Sequence, residues 1–239
     1  MSEPPDAAGA PDTGLVEQQI AYYRARAPEY DQWFFRQGQY DRGDEWNRAW
    51  FSAIEQVRKE LSYFRPTGDV LELACGTGLW TEQLVQHADL ITAVDASPEG
   101  LKLNEERLRD DRVRYLQADL FEWRPDTTYD VVFFGFWLSH VLPRQFEVFW
   151  ETVRSALKPG GRVLFVNSLH PERSAEQHRH RNTPDDYVTV RKLNDGREFR
   201  LVKVFYDPEE ISSRLRELGW NIRVRTSGDH ALYAYGTVA

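Results

Sequence analysis

The sequence VLELACGTGLW, residues 70–80, places a strand, a glycine turn and a helix start next to one another. Val70, Leu71 and Leu73 form a short apolar run, typical of a strand covered on both faces. Gly76 and Gly78 follow, and glycine permits backbone torsions and close approaches that a Cβ atom would block. A turn of this kind between a strand and a helix exposes backbone N–H groups to a ligand.

From Gly68 onward, strand-like stretches alternate with helical ones, which predicts a parallel sheet with helices on both faces. Ser97 with Pro98, and Asp207 with Glu210, mark two helix starts. The predicted strands are residues 69–73, 90–95, 113–117, 129–134, 162–167, 221–226 and 230–238.

We predict a single domain over residues 15–239 with a disordered, proline-rich tail at 1–14. Residues 15–67 are rich in aromatic side chains and form an N-terminal helical lid, helical up to Pro28 and again from Glu45 to about Tyr63.

The core occupies residues 68–168, and its last helix is predicted to run to Leu157, ahead of Pro-Gly-Gly. Residues 169–206 form a loop and a β-hairpin insertion, because strand-like alternation flanks an Asn-Asp-Gly turn at 194–196. Residues 207–239 form a C-terminal helix and strands.

Composition restricts the partners. Lys and Arg number 30 against 38 Asp and Glu, a net charge of −8, which argues against binding driven by nucleic-acid phosphates. Cys75 is the only cysteine, so no internal disulfide forms, as is typical of a reducing cytosol. No apolar stretch reaches membrane-spanning length, and the N-terminus has no signal-peptide pattern. We expect a soluble, cytoplasmic protein with no membrane partner.

The glycine turn alone does not identify its ligand. In a dinucleotide site of the G-x-G-x-x-G type, Thr81 would occupy the place of the third glycine. Three carboxylates are more specific: Glu72 precedes the turn, Asp95 ends the second strand, and Asp119 follows the third.

This set resembles the class I S-adenosylmethionine-dependent methyltransferases. The resemblance covers residues 68–168 well and implies a Rossmann-like, seven-stranded, mostly parallel sheet with an antiparallel final strand. It implies that S-adenosylmethionine (SAM) binds as cofactor and S-adenosylhomocysteine (SAH) is the product. By the same resemblance, Asp95 binds the ribose, while Asp119 and Leu120 flank the adenine. The cofactor-binding residues are then Tyr22, Tyr30, Glu72, Ala74, Gly76, Gly78, Asp95, Ala96, Asp119, Leu120 and Gly135.

The chemistry of these residues agrees with the resemblance. A carboxylate accepts from both ribose hydroxyls, and a helix N-terminus after Gly78 would favour the methionyl carboxylate. Ala74 departs from the family pattern, which has glycine there. The alternative is that Asp95 and Asp119 only cap helices.

The segment after the fourth strand, VVFFGFWLSHVL, should hold the methyl acceptor. Phe136 and Trp137 suit the wall of a small-molecule pocket, or else the core. His140 is the candidate general base, because imidazole titrates near neutrality; the alternative is a histidine that merely starts a helix. The segment has neither the polar-Pro-Pro-aromatic motif of nucleic-acid amino methylation nor the carboxylates of metal-dependent catechol-type enzymes.

The lid resembles elements that close over the cofactor in small-molecule methyltransferases. Tyr22 and Tyr30 would cover the cofactor, and Trp33 would bind the substrate; the alternative is a packing helix. Tyr23 and Tyr30 are seven residues apart and share one helical face if Pro28 is tolerated.

Two further sets of residues have simpler explanations than catalysis. Cys75 has no neighbouring base in sequence and is interpreted as a small buried residue. His170, His178 and His180 lie in a polar, charged stretch, interpreted as a solvated loop, so no metal is expected.

The function expected from the sequence is methyl transfer from SAM to an O, N or S atom of a small-molecule acceptor, by a monomer or homodimer. A non-catalytic SAM-binding or regulatory module and a nicotinamide-dependent oxidoreductase remain as alternatives.

Overall fold

The computed structural model describes residues 13–169 and 187–239. Seven strands form one sheet in the order β3-β2-β1-β4-β5-β9-β8. They are β1 (Asp69–Leu73), β2 (Leu90–Asp95), β3 (Val113–Gln117), β4 (Tyr129–Gly135), β5 (Leu157–Ser168), β8 (Trp220–Ser227) and β9 (Ala231–Val238).

The first five strands of the chain pair in parallel, and β9 pairs antiparallel with both β5 and β8. The prediction of a mostly parallel, Rossmann-like sheet with an antiparallel final strand is therefore confirmed. The chain order reverses at β1, which has β2 on one side and β4 on the other. Ligands of open α/β sheets bind at such a switch point, beyond the carboxyl ends of the strands.

The helices of the described residues surround this sheet. They are α1 (Thr13–Arg26), α2 (Tyr30–Phe34), α3 (Asp44–Phe64), α4 (Thr81–Leu84), α5 (Pro98–Leu108), α6 (Phe146–Ser155) and α7 (Pro208–Glu217). Both predicted caps are confirmed. Ser97 Oγ accepts from the backbone N–H of Gly100 at 3.0 Å, and Asp207 Oδ1 accepts from that of Glu209 at 2.8 Å.

Two boundaries differ from the prediction. The first helix ends at Arg26, because Pro28 disfavours the helical torsions of the residue before it, and a 3-10 turn leads into α2. Leu157 was expected in a helix but begins β5, where it pairs with Tyr129. Pairing across the sheet overrides the helical periodicity of that segment.

The predicted hairpin is present as β6 (Val188–Lys192) and β7 (Glu198–Val202). It packs on the lid rather than on the main sheet. Gln19 Oε1 accepts from the backbone N–H of Val202 at 3.2 Å, and Glu29 Oε2 accepts from that of Asn194 at 3.0 Å. The lid therefore has the hairpin packed against it.

Some predictions concern residues that the structure does not describe. Residues 1–12 of the expected tail lie outside the described residues, whereas Thr13 and Gly14 begin α1. His170, His178 and His180 also lie outside the described residues. Within residues 13–169 and 187–239, no helix has the length and apolar character to cross a membrane. The same residues contain no group of three or more His, Cys, Asp or Glu side chains placed to bind a metal ion.

Candidate active site

A cavity of about 780 Å³, its open mouth included, lies beyond the carboxyl ends of β1, β2 and β4. The predicted site residues that line it are Tyr30, Ala74, Gly76, Asp95, Ala96, Asp119, Leu120, Gly135, Phe136, Trp137 and His140. The strand ends thus bring together residues that are far apart in sequence.

The two glycines of the turn after β1 have different roles. A Cβ atom on Gly76 would meet no atom within 4 Å, so this residue presents bare backbone to the cavity. Gly78 does not line the cavity. A Cβ on it would lie 2.4 Å from Asn104 Oδ1 on α5. The absence of a side chain at Gly78 thus allows α5 to pack closely, and its role in cofactor binding stays a prediction.

The backbone torsion of Ala74 explains why the family pattern has glycine at this position. Its φ is +55°, in the left-handed region that costs a side-chain-bearing residue about 1–2 kcal/mol. Phe136, which follows the neighbouring strand β4, has φ +59°. Backbone strain of this kind is concentrated at functional sites.

Asp95 joins the turn to the start of α5. Its Oδ2 accepts from the Gly76 N–H and its Oδ1 from the Ser97 N–H, both at 2.8 Å. Burial raises its pKa, although these backbone N–H groups act in the opposite direction. Each carboxylate oxygen keeps a second lone pair, so Asp95 can brace the turn and still accept hydroxyl protons from a ligand.

Asp119 lies at the far end of the same edge. Its Oδ1 accepts from the backbone N–H of Phe121 at 2.9 Å, which fixes the turn that carries Leu120. Both Asp119 and Leu120 line the cavity. The pair can flank a planar ring, as the resemblance implies.

The expected helix N-terminus after Gly78 is weaker than predicted. The helix that follows, α4, has four residues and begins only at Thr81. A helix this short has little macrodipole. Any ligand carboxylate would instead meet the N–H groups of the turn itself.

Glu72, which the sequence predicts to bind the cofactor, does not line the cavity, and that role stays a prediction. Its side chain is 1% exposed beneath the turn, and among the described residues its Oε2 has no hydrogen-bond partner. Burial raises the pKa of Glu72 to about 8, against the lowering effect of a hydrogen bond from Thr81. Burial therefore favours the protonated form of this carboxyl group, which lies beneath the turn.

Cys75 is buried, and burial raises the pKa of its thiol well above the ordinary value. A thiol in this state is not a nucleophile at neutral pH.

The opposite end of the cavity, called the acceptor end, is formed by Tyr23, Phe136, Trp137 and His140. The side chain of Tyr23 lies on α1, and the others follow β4. A Cβ on Gly135 would lie 2.6 Å from a ring atom of Trp80, so glycine allows the strand end to approach this indole. Aromatic faces dominate this end.

His140 makes two hydrogen bonds that fix its tautomer. Its Nδ1 lies 2.7 Å from the carbonyl oxygen of Val202, which can only accept, so Nδ1 carries the proton. Its Nε2 lies 2.6 Å from the Tyr23 hydroxyl and therefore accepts from it. One imidazole thus connects the lid, the core and the hairpin.

The surroundings of His140 favour the neutral ring. Burial, followed by the positive charges of Lys203, Arg26 and Arg191, lowers the pKa of His140 well below its ordinary value. The hydrogen bond to Val202 acts in the opposite direction but does not offset them. An imidazolium at this position is unfavourable.

The lid contributes different residues from those predicted. Tyr30 lines the cavity as expected, but Tyr22 packs against the hairpin, and its neighbour Tyr23 lines the cavity instead. Trp33 packs on Phe136 with ring centroids 5.1 Å apart and does not line the cavity. The register of α1 determines which of the adjacent residues Tyr22 and Tyr23 faces the cavity. The seven-residue spacing of Tyr23 and Tyr30 was the sequence signal that could have identified Tyr23.

Other lining residues carried no distinctive signal in the sequence. They are Val16, Gln19, Ile20, Ala27, Thr77, Ser97, Gly100 and Phe121. The members on α1 follow the same helical face as Tyr23, which the periodicity alone could have revealed.

Comparison with known proteins agrees with this geometry. A family model described as a methyltransferase domain matches residues 70–161. A solved structure described as a DhpI-SAM-HEP complex is 43% identical, covers 95% of this chain and 99% of that chain, and superposes with a TM-score of 0.79. The chain belongs to the S-adenosylmethionine-dependent methyltransferases. A second DhpI structure, with SAH, is 42% identical and has a TM-score of 0.76. Both DhpI structures agree with SAM as the cofactor and SAH as the product.

Curated methyltransferases match over shorter lengths. The malonyl-[acyl-carrier protein] O-methyltransferase of Priestia megaterium (strain DSM 319 / IMG 1521) is 30% identical over 121 residues, 48% of this chain and 42% of that protein. The demethylmenaquinone methyltransferase of Lactococcus lactis subsp. lactis (strain IL1403) is 31% identical over 109 residues, 43% of this chain and 42% of that protein. The alignments thus span less than half of these relatives' length.

Proposed function

We propose that this methyltransferase transfers the methyl group of SAM to an O, N or S atom of a small-molecule acceptor. The observation that carries the proposal is the continuity of the cavity. It connects the glycine turn and Asp95 at one end with the aromatic acceptor end at the other. A cofactor and an acceptor bound there would meet end to end.

The residues present fit SAM. Gly76 leaves room for backbone N–H groups to approach the methionyl part, Asp95 offers carboxylate oxygens to the ribose, and Asp119 with Leu120 would hold the adenine. When bound, SAM supplies a methyl group activated by the positive sulfonium. The chain's contribution is then alignment of the acceptor, in a cavity that the lid shields from water.

The identity of the acceptor is a separate question. The relatives' names refer to malonyl-[acyl-carrier protein] and demethylmenaquinone, and the DhpI complex contains HEP. These acceptors differ, so relationship alone does not choose one. Closure of the cavity by α1 and its aromatic lining favour a small organic molecule over a nucleic acid.

We propose that the polar side chain of His140 contacts either the acceptor or the Tyr23 hydroxyl. A general base has to gain a proton, and the low pKa of His140 makes that step unfavourable until the acceptor proton has become strongly acidic. His140 therefore assists as a base only late in methyl transfer, and only for an acceptor that carries a proton.

Two measurements test the proposed function. Calorimetry with SAM, SAH and NAD should show micromolar or tighter binding of the first two and none of NAD; binding of NAD alone would favour the oxidoreductase. Transfer of labelled methyl from SAM across a panel of acids, alcohols, amines and thiols should identify turnover. Tight SAH binding with no turnover on any member would favour a non-catalytic SAM-binding module.

The cytoplasmic location and the monomeric or homodimeric state stay predictions.

A further inference from the structure

Thr77 lies between the two glycines of the turn after β1, where it lines the cavity and is 3% exposed. Its hydroxyl oxygen lies 2.6 Å from Oδ1 of Asp31, a residue of the lid helix α2. The other carboxylate oxygen of Asp31 accepts from Arg107 on α5. One carboxylate therefore connects the lid, the turn and α5.

The direction of the hydrogen bond between Thr77 and Asp31 follows from the two chemical groups. A carboxylate accepts hydrogen bonds and has no proton to donate, whereas a hydroxyl has one proton and two lone pairs. The single proton of the Thr77 hydroxyl is therefore used on Asp31. Thr77 can offer a ligand in the cavity only the lone pairs of its oxygen.

These lone pairs suit a ligand group that donates. Among residues 13–169 and 187–239, the Thr77 hydroxyl oxygen accepts no hydrogen bond. Donation to a carboxylate polarises the O–H group, which makes its oxygen a stronger acceptor. An ammonium group gains most from such an acceptor, because hydrogen bonds from a charged donor are the stronger ones. A ligand carboxylate at the same place would meet only lone pairs.

The methionyl part of SAM carries the ammonium group of the cofactor, and the bare backbone of Gly76 leaves room for that part beside Thr77. From this arrangement we infer that Asp31 is a positioning residue for the methionyl ammonium of SAM, acting through the Thr77 hydroxyl, which accepts a hydrogen bond from the ammonium. The inference concerns the cofactor and does not depend on the acceptor proposed above.

The lid adds a conformational component. Asp31 belongs to α2, so the Thr77 proton is engaged only while the lid lies against the turn. With the lid displaced, the hydroxyl would be free to donate, and Thr77 would lose its preference for an ammonium. Binding of the ammonium and closure of the lid therefore stabilise each other, because coupling between two binding events is reciprocal.

The test uses SAH and two analogues that keep its adenosine and thioether. Hydrogen replaces the ammonium in deamino-SAH and the carboxylate in decarboxy-SAH. Calorimetry measures the affinity of the native protein for each ligand. We expect deamino-SAH to bind about 10- to 100-fold more weakly than SAH, the range for a hydrogen bond from a charged group. If deamino-SAH binds as tightly as SAH, the inference is wrong.

Variants of Thr77 distinguish hydrogen bonding from packing. Thr77→Val keeps the shape of the side chain without its lone pairs. It should lower the affinities for SAH and decarboxy-SAH about tenfold or more, and change that for deamino-SAH by less than about twofold. Thr77→Ser keeps the hydroxyl and should bind all three ligands as the native protein does. An equal loss for all three ligands in Thr77→Val would overturn the inference, since Thr77 would then only shape the turn.

Asp31→Ala tests the carboxylate on the lid. It frees the Thr77 proton, so we expect weaker binding of decarboxy-SAH, which keeps the ammonium. Binding of deamino-SAH, which keeps the carboxylate, should be unchanged or tighter. Asp44→Ala removes an exposed carboxylate from the start of α3 and is the matched control, with all three affinities unchanged. Equal weakening of both analogues in Asp31→Ala would overturn the inference, since Asp31 would then only hold the lid.

Hydrogen exchange gives a readout that requires no variant. With each ligand at a saturating concentration, SAH should slow exchange in α1 and α2 more than deamino-SAH does, because only SAH carries the ammonium that stabilises the closed lid. Equal protection by the two ligands would contradict the inference.

Discussion

At the scale of single residues, burial decides what each carboxylate near the turn can do. Asp95 reaches the cavity while holding two backbone N–H groups, whereas Glu72 is enclosed beneath the turn with one oxygen unpaired. Glu72 and Asp95 lie on neighbouring strands. Asp95 is placed to contact a ligand, whereas the surroundings of Glu72 favour a protonated carboxyl group with a structural role. Their different surroundings lead to separate predictions.

We predict that Asp95→Ala lowers the affinity for SAM by about 1.5–3 kcal/mol, the contribution of a hydrogen bond to a charged group. Calorimetry on the folded variant measures it. Asp89→Ala is the matched control, because Asp89 is exposed at the amino end of the same strand. An unchanged affinity in the Asp95 variant would exclude this residue from the ribose site.

Glu72 should make the ligand-free protein less stable as the pH rises. Its folded pKa of about 8 exceeds the ordinary value, so the folded state binds more protons and loses stability between about pH 5 and 8. Glu72→Gln should flatten this decline and raise the melting temperature at pH 8. Glu82→Gln, at an exposed site on α4, should behave as the native protein does. Equal slopes in all three proteins would mean that Glu72 is ionised in the fold.

His140→Gln distinguishes a role of His140 as general base from its role as hydrogen-bond acceptor for Tyr23. Glutamine keeps an acceptor for the Tyr23 hydroxyl but cannot take up a proton. For an acceptor whose nucleophilic atom carries no proton, we expect the rate of labelled methyl transfer to fall less than about tenfold, because general-base help worth about 10²–10⁴-fold is not used. A loss in that larger range, together with an acid limb in the native pH profile that the variant lacks, would establish His140 as the base.

At the scale of elements, the two glycines of the turn after β1 have different roles: Gly76 faces the cavity, whereas Gly78 packs against α5. Gly76→Ala should weaken SAM binding, since its methyl group enters the cavity, and should cost only the roughly 1–2 kcal/mol of a left-handed backbone in stability. Gly78→Ala should destabilise the fold further, because its methyl group meets Asn104 on α5. Chemical denaturation and calorimetry on both variants test this. Equal stability losses would show that α5 shifts without cost.

The elements also show how far the sequence is informative. The strands from 69 to 135 and the capped helices were predictable, because local apolar patterns and cap residues agree with the tertiary environment. The start of β5 at Leu157 was not, since pairing with Tyr129 is a nonlocal contact. The same limit hid Gln19, whose contact with the hairpin is to the backbone N–H of Val202, 183 positions further along the chain.

At the scale of the whole molecule, the lid is attached at both ends of the cavity. Near the cofactor end, Asp31 accepts from the Thr77 hydroxyl at 2.6 Å and pairs with Arg107 on α5. Near the acceptor end, Tyr23 donates to His140. Closure therefore depends on a few polar contacts as well as on apolar packing, which makes it sensitive to single substitutions.

Tyr23→Phe should loosen the lid by removing the hydrogen bond to His140, a loss of about 1 kcal/mol. Hydrogen exchange should become faster in α1, and acceptor affinity should fall more than SAM affinity. Tyr22→Phe, on the adjacent residue facing the hairpin, is the control and should change neither. Faster exchange in both variants to the same extent would assign the effect to general packing.

The contact between Gln19 and Val202 spans 183 positions of the chain. A ribosome therefore completes α1 long before it makes the strand that α1 packs against. Until the hairpin emerges, the growing chain carries an aromatic helix face with no partner, while the sheet edge below already has its glycine turn. A nascent chain stopped before β6 also lacks β8 and β9 of the sheet, so we expect it to leave α1 open to proteolysis, and we expect closure of the cavity to be a late event in biosynthesis.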